Sequence, residues 1–250
     1  MQWWEAAIIA LAGLWAGLIN AVVGSGTLVT FPVLVALGYP PVTATTSNAI
    51  GLITGSATGA VGYRSEWAGH GRRLAGYAVA SLLGAVGGTV LLLSLPPDAF
   101  ETVVPILVGI SVVLVLVQPL LSRRLRDRAA VKGTRSPLLY VLIFLVGVYG
   151  GYFTAAQGIM LVGVMGLLLT DPLQRLNAFK NTLTAVVNLV AGAIYAVVAP
   201  VSWPVVAVLA ASSTVGGLLG ASIGKRLPPA VLRGVIVVIG VIAVVFLLVD

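Results

Sequence analysis

The residues best placed to hold a ligand lie in two breaks within long apolar runs. Gly24-Ser25-Gly26-Thr27 interrupts the first run, with Asn20 one helical turn before it. A Gly-Ser-Gly stretch ends one helix and leaves backbone N–H groups without partners. The helix that starts after it turns the positive end of its dipole toward the gap. Exposed donors and a helix N-terminus together attract anions. Thr154-Ala155-Ala156-Gln157-Gly158 is a second break, with the amide of Gln157 where the first has small residues. Either stretch can also be read as a bare helix turn that lets two helices pack closely.

Polar side chains follow at helical spacing. Asn177, Asn181, Thr184 and Asn188 are separated by 4, 3 and 4 residues and share one helix face. Amides are costly against lipid, so this face is expected to look inward, toward a ligand or toward another helix through hydrogen bonds. Lys180 begins the same helix and is the only lysine within a turn of the stripe. It suits the attraction of an anion arriving from the cytoplasm, or a snorkelling anchor at the membrane surface. Arg175 reads as such an anchor.

Other chemistries lack their parts. No aspartate or glutamate falls within an apolar span, there is no cysteine, and the single histidine, His70, sits in a basic loop. A metal site, a nucleophile–histidine pair and a two-carboxylate acid–base site are therefore incomplete. No Walker A sequence or soluble ATP-binding domain is present. The chain reads as neither an enzyme nor a primary pump, and no cofactor is expected.

Composition says which elements must carry these groups. Of 250 residues, 59% are hydrophobic and 8% charged, where a soluble domain has roughly 25% charged residues. Mean hydropathy is +1.11. Such a chain cannot cover itself in polar surface. No charged residue lies between Glu5 and Arg64, Arg73 and Asp98, Glu101 and Arg123, Arg135 and Asp171, Lys180 and Lys225, or Arg233 and Asp250. About 20 apolar residues span a bilayer as a helix, so the longest gaps hold more than one pass. Leu74–Leu95, Val103–Leu121 and Val231–Val249 each read as one. These runs do not alternate, which argues against a β-barrel. The expectation is an all-α polytopic membrane protein. With no basic stretch before Glu5, the first apolar segment reads as retained rather than cleaved.

The net charge of +7 comes from four basic clusters. They are Arg64, Arg72 and Arg73; Arg123, Arg124, Arg126, Arg128, Lys132 and Arg135; Arg175 and Lys180; and Lys225, Arg226 and Arg233. Positive loops mark the cytoplasmic side, so the clusters speak for orientation and lipid headgroups, and against nucleic acid. Between Arg135 and Asp171 the chain must leave the cytoplasm and return. This predicts a short antiparallel pair, Pro137–Phe153 and Gly158–Leu169, crossing tilted or stopping near mid-bilayer. Trp3, Trp4, Trp67 and Trp203 fall near span ends, as interfacial belt residues do.

The two breaks are related by position. Gly24-Ser25-Gly26-Thr27-Leu28 matches Ala156-Gln157-Gly158-Ile159-Met160. Ala44 to Gly59 lies over Asn177 to Gly192 and pairs Asn48 with Asn181. Gly84, Gly88 and Leu95-Pro96-Pro97 match Gly216, Gly220 and Leu227-Pro228-Pro229, all at offsets between 131 and 133 residues. The chain reads as a duplication, with residues 1–122 as the first repeat, 123–136 as a basic cytoplasmic linker and 137–250 as the second repeat. Each repeat would hold five membrane segments, a short broken pair and three full helices. An odd number turns the second repeat upside down, giving two inverted repeats, ten segments and both termini outside. Inverted repeats with interrupted helices recur in secondary transporters, whose substrate sits near the midplane between the repeats. That makes Asn48 and Asn181 the leading substrate ligands.

The chain resembles the sulfite exporter TauE/SafE family of prokaryotic membrane proteins over nearly its whole length. The resemblance is carried by Gly24-Ser25-Gly26-Thr27, Phe31-Pro32-Val33-Leu34, Ala44-Thr45-Thr46-Ser47-Asn48 and the repetition of that layout from Gly147 to Asn181. In the second half, Ala155-Ala156-Gln157-Gly158 stands in place of a richer glycine run and Val164-Met165-Gly166 in place of Pro-x-Leu. The resemblance implies a cell-membrane transporter that exports sulfite or an organosulfonate such as sulfoacetate; the residues by themselves leave open a carrier for another small solute or a non-transporting membrane scaffold or assembly protein. An anion leaving a negative interior gains roughly 2.3 kcal/mol per charge per 100 mV, so uniport by alternating access suffices. The expected substrate-binding residues are Gly24, Ser25, Gly26, Thr27, Asn48, Gln157, Gly158, Asn177, Lys180, Asn181 and Asn188. The expected partners are a small anion and the lipid bilayer.

Overall fold

A computed structural model describes residues 1–127, 137–222, 234, 236–242 and 245. Among them five helices are long and apolar enough to cross a membrane. These are α1 (Trp3–Val22), α5 (Gly71–Ser94), α6 (Pro97–Asp127), α9 (Leu173–Val198) and α10 (Trp203–Ser222). The shorter helices are α2 (Thr27–Ala36), α3 (Pro41–Gly51), α4 (Ile53–Val61), α7 (Pro137–Phe153) and α8 (Gln157–Leu168), with one 3-10 turn at Arg64–Trp67. No strand occurs among the described residues. With large apolar side chains such as Leu83, Val90, Ile106, Val113, Leu145, Leu189 and Leu218 exposed on their outer faces, these helices form a multi-pass membrane protein, because only a bilayer covers such a surface.

Local sequence explains the unequal lengths. α1 has 20 residues and extends about 30 Å, the thickness of a bilayer's hydrocarbon. It ends at the glycine break, where Gly24 takes φ +91°, a left-handed conformation that a glycine adopts without a Cβ penalty. α2 starts at once and is only 10 residues long. α7 and α8 repeat the arrangement with 17 and 12 residues. Each of these shorter helices falls short of a perpendicular crossing, as expected for the second pair. α6 runs on through Arg123, Arg124 and Arg126 to Asp127, so the expected linker begins as helix. Arg128, Lys132, Arg135, Lys225, Arg226, Arg233, Leu227-Pro228-Pro229 and most of the run Val231–Val249 lie outside the described residues.

Small residues bring two helix pairs into backbone contact. In the first pair a Cβ on Gly216 of α10 would lie 2.0 Å from the Leu14 carbonyl oxygen of α1, and one on Gly220 would lie 2.7 Å from that of Leu18. In the second, a Cβ on Gly84 of α5 would lie 2.2 Å from the Phe144 carbonyl oxygen of α7, and one on Gly88 would lie 1.9 Å from that of Val148. Contact positions climb together along both chains, so each pair runs parallel. Within a membrane such close approach supplies the dispersion energy that burial from water supplies elsewhere. The seams hold the ends of α1 and α7 together at the centre, where Ile19, Val23, Leu28, Phe31, Phe153, Ala155, Ala156 and Ile159 share one apolar core.

Candidate substrate site

The two breaks meet. The Gly158 N–H donates to the Gly24 carbonyl at 3.0 Å. A Cβ on Gly24 would lie 2.6 Å from Gly158 Cα, and one on Gly158 would lie 2.5 Å from Gly24 Cα. Only glycine fits at either position. Ala156, just before α8, is the one non-glycine residue with positive φ among the described residues, at +55°, a conformation that costs an L-residue about 1–2 kcal/mol. The start of α2, the start of α8 and the end of α1 thus converge, with Gly26 as the N-cap of α2 and Gln157 as the first residue of α8.

Lys180 reaches into this junction from α9. It is fully buried, and its Nζ donates to the carbonyls of Asn20 at 3.2 Å and Ala21 at 3.1 Å. These belong to the last turn of α1, where carbonyls lack intrahelical partners and a cation is favoured. No carboxylate bridges Lys180 among the described residues. The side chain neither snorkels to the surface nor stands in an open mouth, because the face it shares with the polar stripe points at α1. Asn181 Nδ2 donates to the Ala21 carbonyl at 3.3 Å and the Gly59 carbonyl at 3.4 Å.

The other expected residues divide into satisfied and unsatisfied groups. Asn48 donates to Thr27 Oγ1 at 3.0 Å and accepts from the Thr30 hydroxyl, tying α3 to α2. Asn188 donates to Ser56 Oγ at 2.9 Å, which also accepts from Asn20 Nδ2 at 2.9 Å. By contrast Ser25 Oγ, both polar atoms of Gln157, Thr184 Oγ1 and Asn188 Oδ1 are buried and have no hydrogen-bond partner. An unpartnered buried polar group costs about 1–3 kcal/mol, so these atoms mark where a ligand would be rewarded. Ser25 and Gln157 each adjoin the touching glycines. Asn177 is only half-buried, one turn nearer the start of α9, and makes none of these bonds.

Sequence reasoning missed three groups around the junction. Thr30 and Ser56 complete the hydrogen bonds of Asn48, Asn20 and Asn188; a hydroxyl in an apolar helix is too common to stand out. Phe31 and Phe153 meet edge to face at 5.1 Å on one side. Phe179, next to Lys180, meets Tyr77 at 6.1 Å on the other. Asp171 pairs with both Arg73 and Arg175, so the first and third basic clusters share one end of the molecule. Burial pushes the Asp171 carboxyl up, but hydrogen bonds and the charges of the two guanidiniums outweigh it and hold the group below its ordinary value. Arg175 is thus an ion-pair partner, and Asp171 was visible beforehand only as the end of an uncharged run.

A buried lysine amine, two helix N-termini and unpartnered donors thus gather at one junction. Comparison with known proteins agrees with a transport role. The family described as "Sulfite exporter TauE/SafE" matches residues 9–247. A "Probable membrane transporter protein" of Haemophilus influenzae is 26% identical over 234 residues, covering 93% of this chain and 90% of its own length. The "Probable membrane transporter protein YfcA" of Escherichia coli K12 is 26% identical over 213 residues, covering 85% of this chain and 76% of its own.

Proposed function

The chain belongs to the sulfite exporter TauE/SafE family, and from that premise we propose that it is a secondary transporter exporting a small anion by alternating access. Sulfite or an organosulfonate such as sulfoacetate is the substrate class. The observation that carries this reading is Lys180, a fully buried cation with no carboxylate partner among the described residues, set where two helices begin. Two α1 carbonyls hold the amine, but no full negative charge faces it, and an anion seated against helix N-termini supplies one. Ser25 and Gln157 are the donors free to bind it. Asn181 and Asn188 line the same seam. Thr27 and Asn48 brace the start of α2, Gly24, Gly26 and Gly158 allow close backbone approach, and Asn177 lies one turn nearer the Arg73 side.

Two features support a pair of inverted repeats, residues 1–122 and 137–250, around this site. Gly24 and Ala156, at matching positions of the duplication, are both left-handed. The matching glycines Gly84 and Gly216, and Gly88 and Gly220, press on backbone carbonyls of α7 and α1 respectively. Exchanging the repeats therefore exchanges the two parallel helix pairs. The basic end is cytoplasmic in this reading and both termini lie outside.

Tracer flux in proteoliposomes tests the function. Sulfite or sulfoacetate should move saturably, faster when the membrane potential favours anion movement, and sulfate should serve as the comparison. Absence of flux for all three would overturn the reading. Orientation has its own test: cysteines replacing Asp98 and Val201 should label from outside, and those replacing Arg128 and Arg226 from inside. Outside labelling at position 226 would contradict the inverted repeats.

A further inference from the structure

The end of the molecule that carries Arg73 is closed by an apolar cluster in which Leu74, Tyr77, Leu176 and Phe179 pack together, and one chain of ionic contacts caps it. Asp171, in the connection between α8 and α9, accepts from Arg73 Nη2 at 2.6 Å and from Arg175 Nη1 at 2.8 Å. The Arg73 guanidinium lies over the Phe179 ring, with Cζ 5.1 Å from its centroid. Phe179 also meets His70 at 6.5 Å and Tyr77 at 6.1 Å. It is fully buried and directly precedes Lys180. A carboxylate near the surface is thereby linked, through one guanidinium, to the ring beside the buried cation.

The opposite end is closed differently. The middle of α3 adjoins the connection after α9, where Thr46 Oγ1 donates to the Pro200 carbonyl at 2.6 Å and the Ser202 N–H donates to Ser47 Oγ at 2.9 Å. Between that end and the breaks lie Phe31, Phe153, Phe100 and Tyr152, ring against ring, at 5.1 to 6.1 Å. This plug is aromatic throughout, with no ionic contact in it among the described residues. An aromatic plug releases only by exposing its rings. The arginine–aspartate latch can release into water, where a partly exposed ion pair is worth little, and it needs only one carboxylate to hold two cations.

We propose that Asp171 is a positioning residue for transport: by holding Arg73 over Phe179 it keeps the passage from the Arg73 side to Lys180 shut in this conformation. The residue acts through Arg73 and need not touch the substrate. The inference rests on Lys180 marking the transported anion's site. It predicts that loss of the Asp171 charge opens the junction to one side only.

The chain has no cysteine, so single cysteines report access directly. Ser25→Cys and Thr184→Cys place a thiol at two buried positions of the junction. Each is combined with Asp171→Asn, Arg73→Gln or Asp171→Glu in sealed membranes of known sidedness and treated with a membrane-impermeant maleimide from either face. Gly69→Cys, in an exposed turn on the Arg73 side, confirms insertion and reagent reach. Asp171→Asn and Arg73→Gln should each raise labelling from the Arg73 face about tenfold, equivalent to about 1.4 kcal/mol in the closed–open balance. Labelling from the other face should stay at the parent level, and Asp171→Glu should restore protection. Protection unchanged in both charge-removing variants would overturn the proposal, as would an equal rise from both faces, which marks a loosened fold. The readout needs no substrate. A transporter that carries anions yet stays protected loses only the latch, and a chain that carries none but opens on one side loses only the transport reading.

Discussion

The two breaks press against each other but are built differently. Around Gly24-Ser25-Gly26, polar side chains serve their own neighbourhood: Asn48 bonds Thr27 and Thr30, and a glycine takes the left-handed turn. Around Ala156-Gln157-Gly158, an alanine takes that turn, the Gln157 amide has no partner, and Lys180 and Asn181 of α9 reach across to the last carbonyls of α1. The first region is tied mainly to itself, with Ser25 Oγ its one unpartnered side-chain atom. The second is tied to the first and keeps the whole Gln157 amide unpartnered. Positions that align between the two halves therefore do not imply matching work. Asn48 and Asn181 align, yet one joins two neighbouring helices and the other bridges α9 to α1 and α4.

Substitutions can break this contrast in order of expected size. The contact shared by both breaks comes first. Gly158→Ala would set a Cβ 2.5 Å from Gly24 Cα, with backbone on both sides and no flexible side chain to give way. A loss of about 3 kcal/mol or more is expected, read as a collapse of melting temperature in detergent. Gly38→Ala is the control. Gly38 has φ +84° but nothing within 4 Å of a Cβ, so only the backbone penalty of about 1–2 kcal/mol applies. Equal losses in the two variants would mean that the breaks do not touch.

The aligned amides come next. Asn48→Leu leaves Thr27 Oγ1 without its donor and Thr30 with only the long bond to the Gly26 carbonyl at 3.5 Å, so it should cost about 2 kcal/mol of stability. Asn181→Leu gives up two long bonds of 3.3 and 3.4 Å; it should cost about 1 kcal/mol of stability but weaken anion binding about tenfold. Melting temperature and sulfite binding on the same samples separate the two. Equal stability losses with unchanged affinity in both would make the amides packing groups alike.

Gln157→Met sharpens the idea of polar groups in reserve. Replacing an unpartnered buried amide by a side chain of similar size should raise stability by about 1 kcal/mol while anion affinity falls. A drop in stability would mean that the amide already has a partner. The smallest effect is expected for Ala156→Gly. Relief of the left-handed penalty, offset by the greater freedom of glycine in the unfolded chain, leaves a gain of about 0.5 kcal/mol with flux unchanged.

Much of this layout was legible in the sequence because it depends on local signals. Glycine at 24 and 26 and the residues Thr154–Gly158 announce where helices stop, and the charge-free run up to Asp171 forces a short pair whose first member, Pro137–Phe153, has the observed bounds. The polar face of α9 follows from spacing alone. The direction of Lys180 does not. A lysine near a span end reads equally as a surface anchor, because nothing local says that two α1 carbonyls wait across the interface. Contact between Gly24 and Gly158 is likewise a tertiary event between residues more than a hundred positions apart. In the sequence Asp171 is only a boundary, because its partners Arg73 and Arg175 belong to clusters that folding alone brings together.

The central claim is that Lys180 is the counter-charge of the transported anion, and Lys180→Met tests it most directly. Methionine keeps much of the length and volume and removes the charge. Sulfite efflux from proteoliposomes and the melting temperature are measured on the same preparation. The account predicts that efflux falls by about 100-fold while the melting temperature changes little, because the lost bonds to the Asn20 and Ala21 carbonyls offset the relief of removing a buried charge. Parent-like efflux from Lys180→Met, or efflux lost only together with the fold, would contradict it.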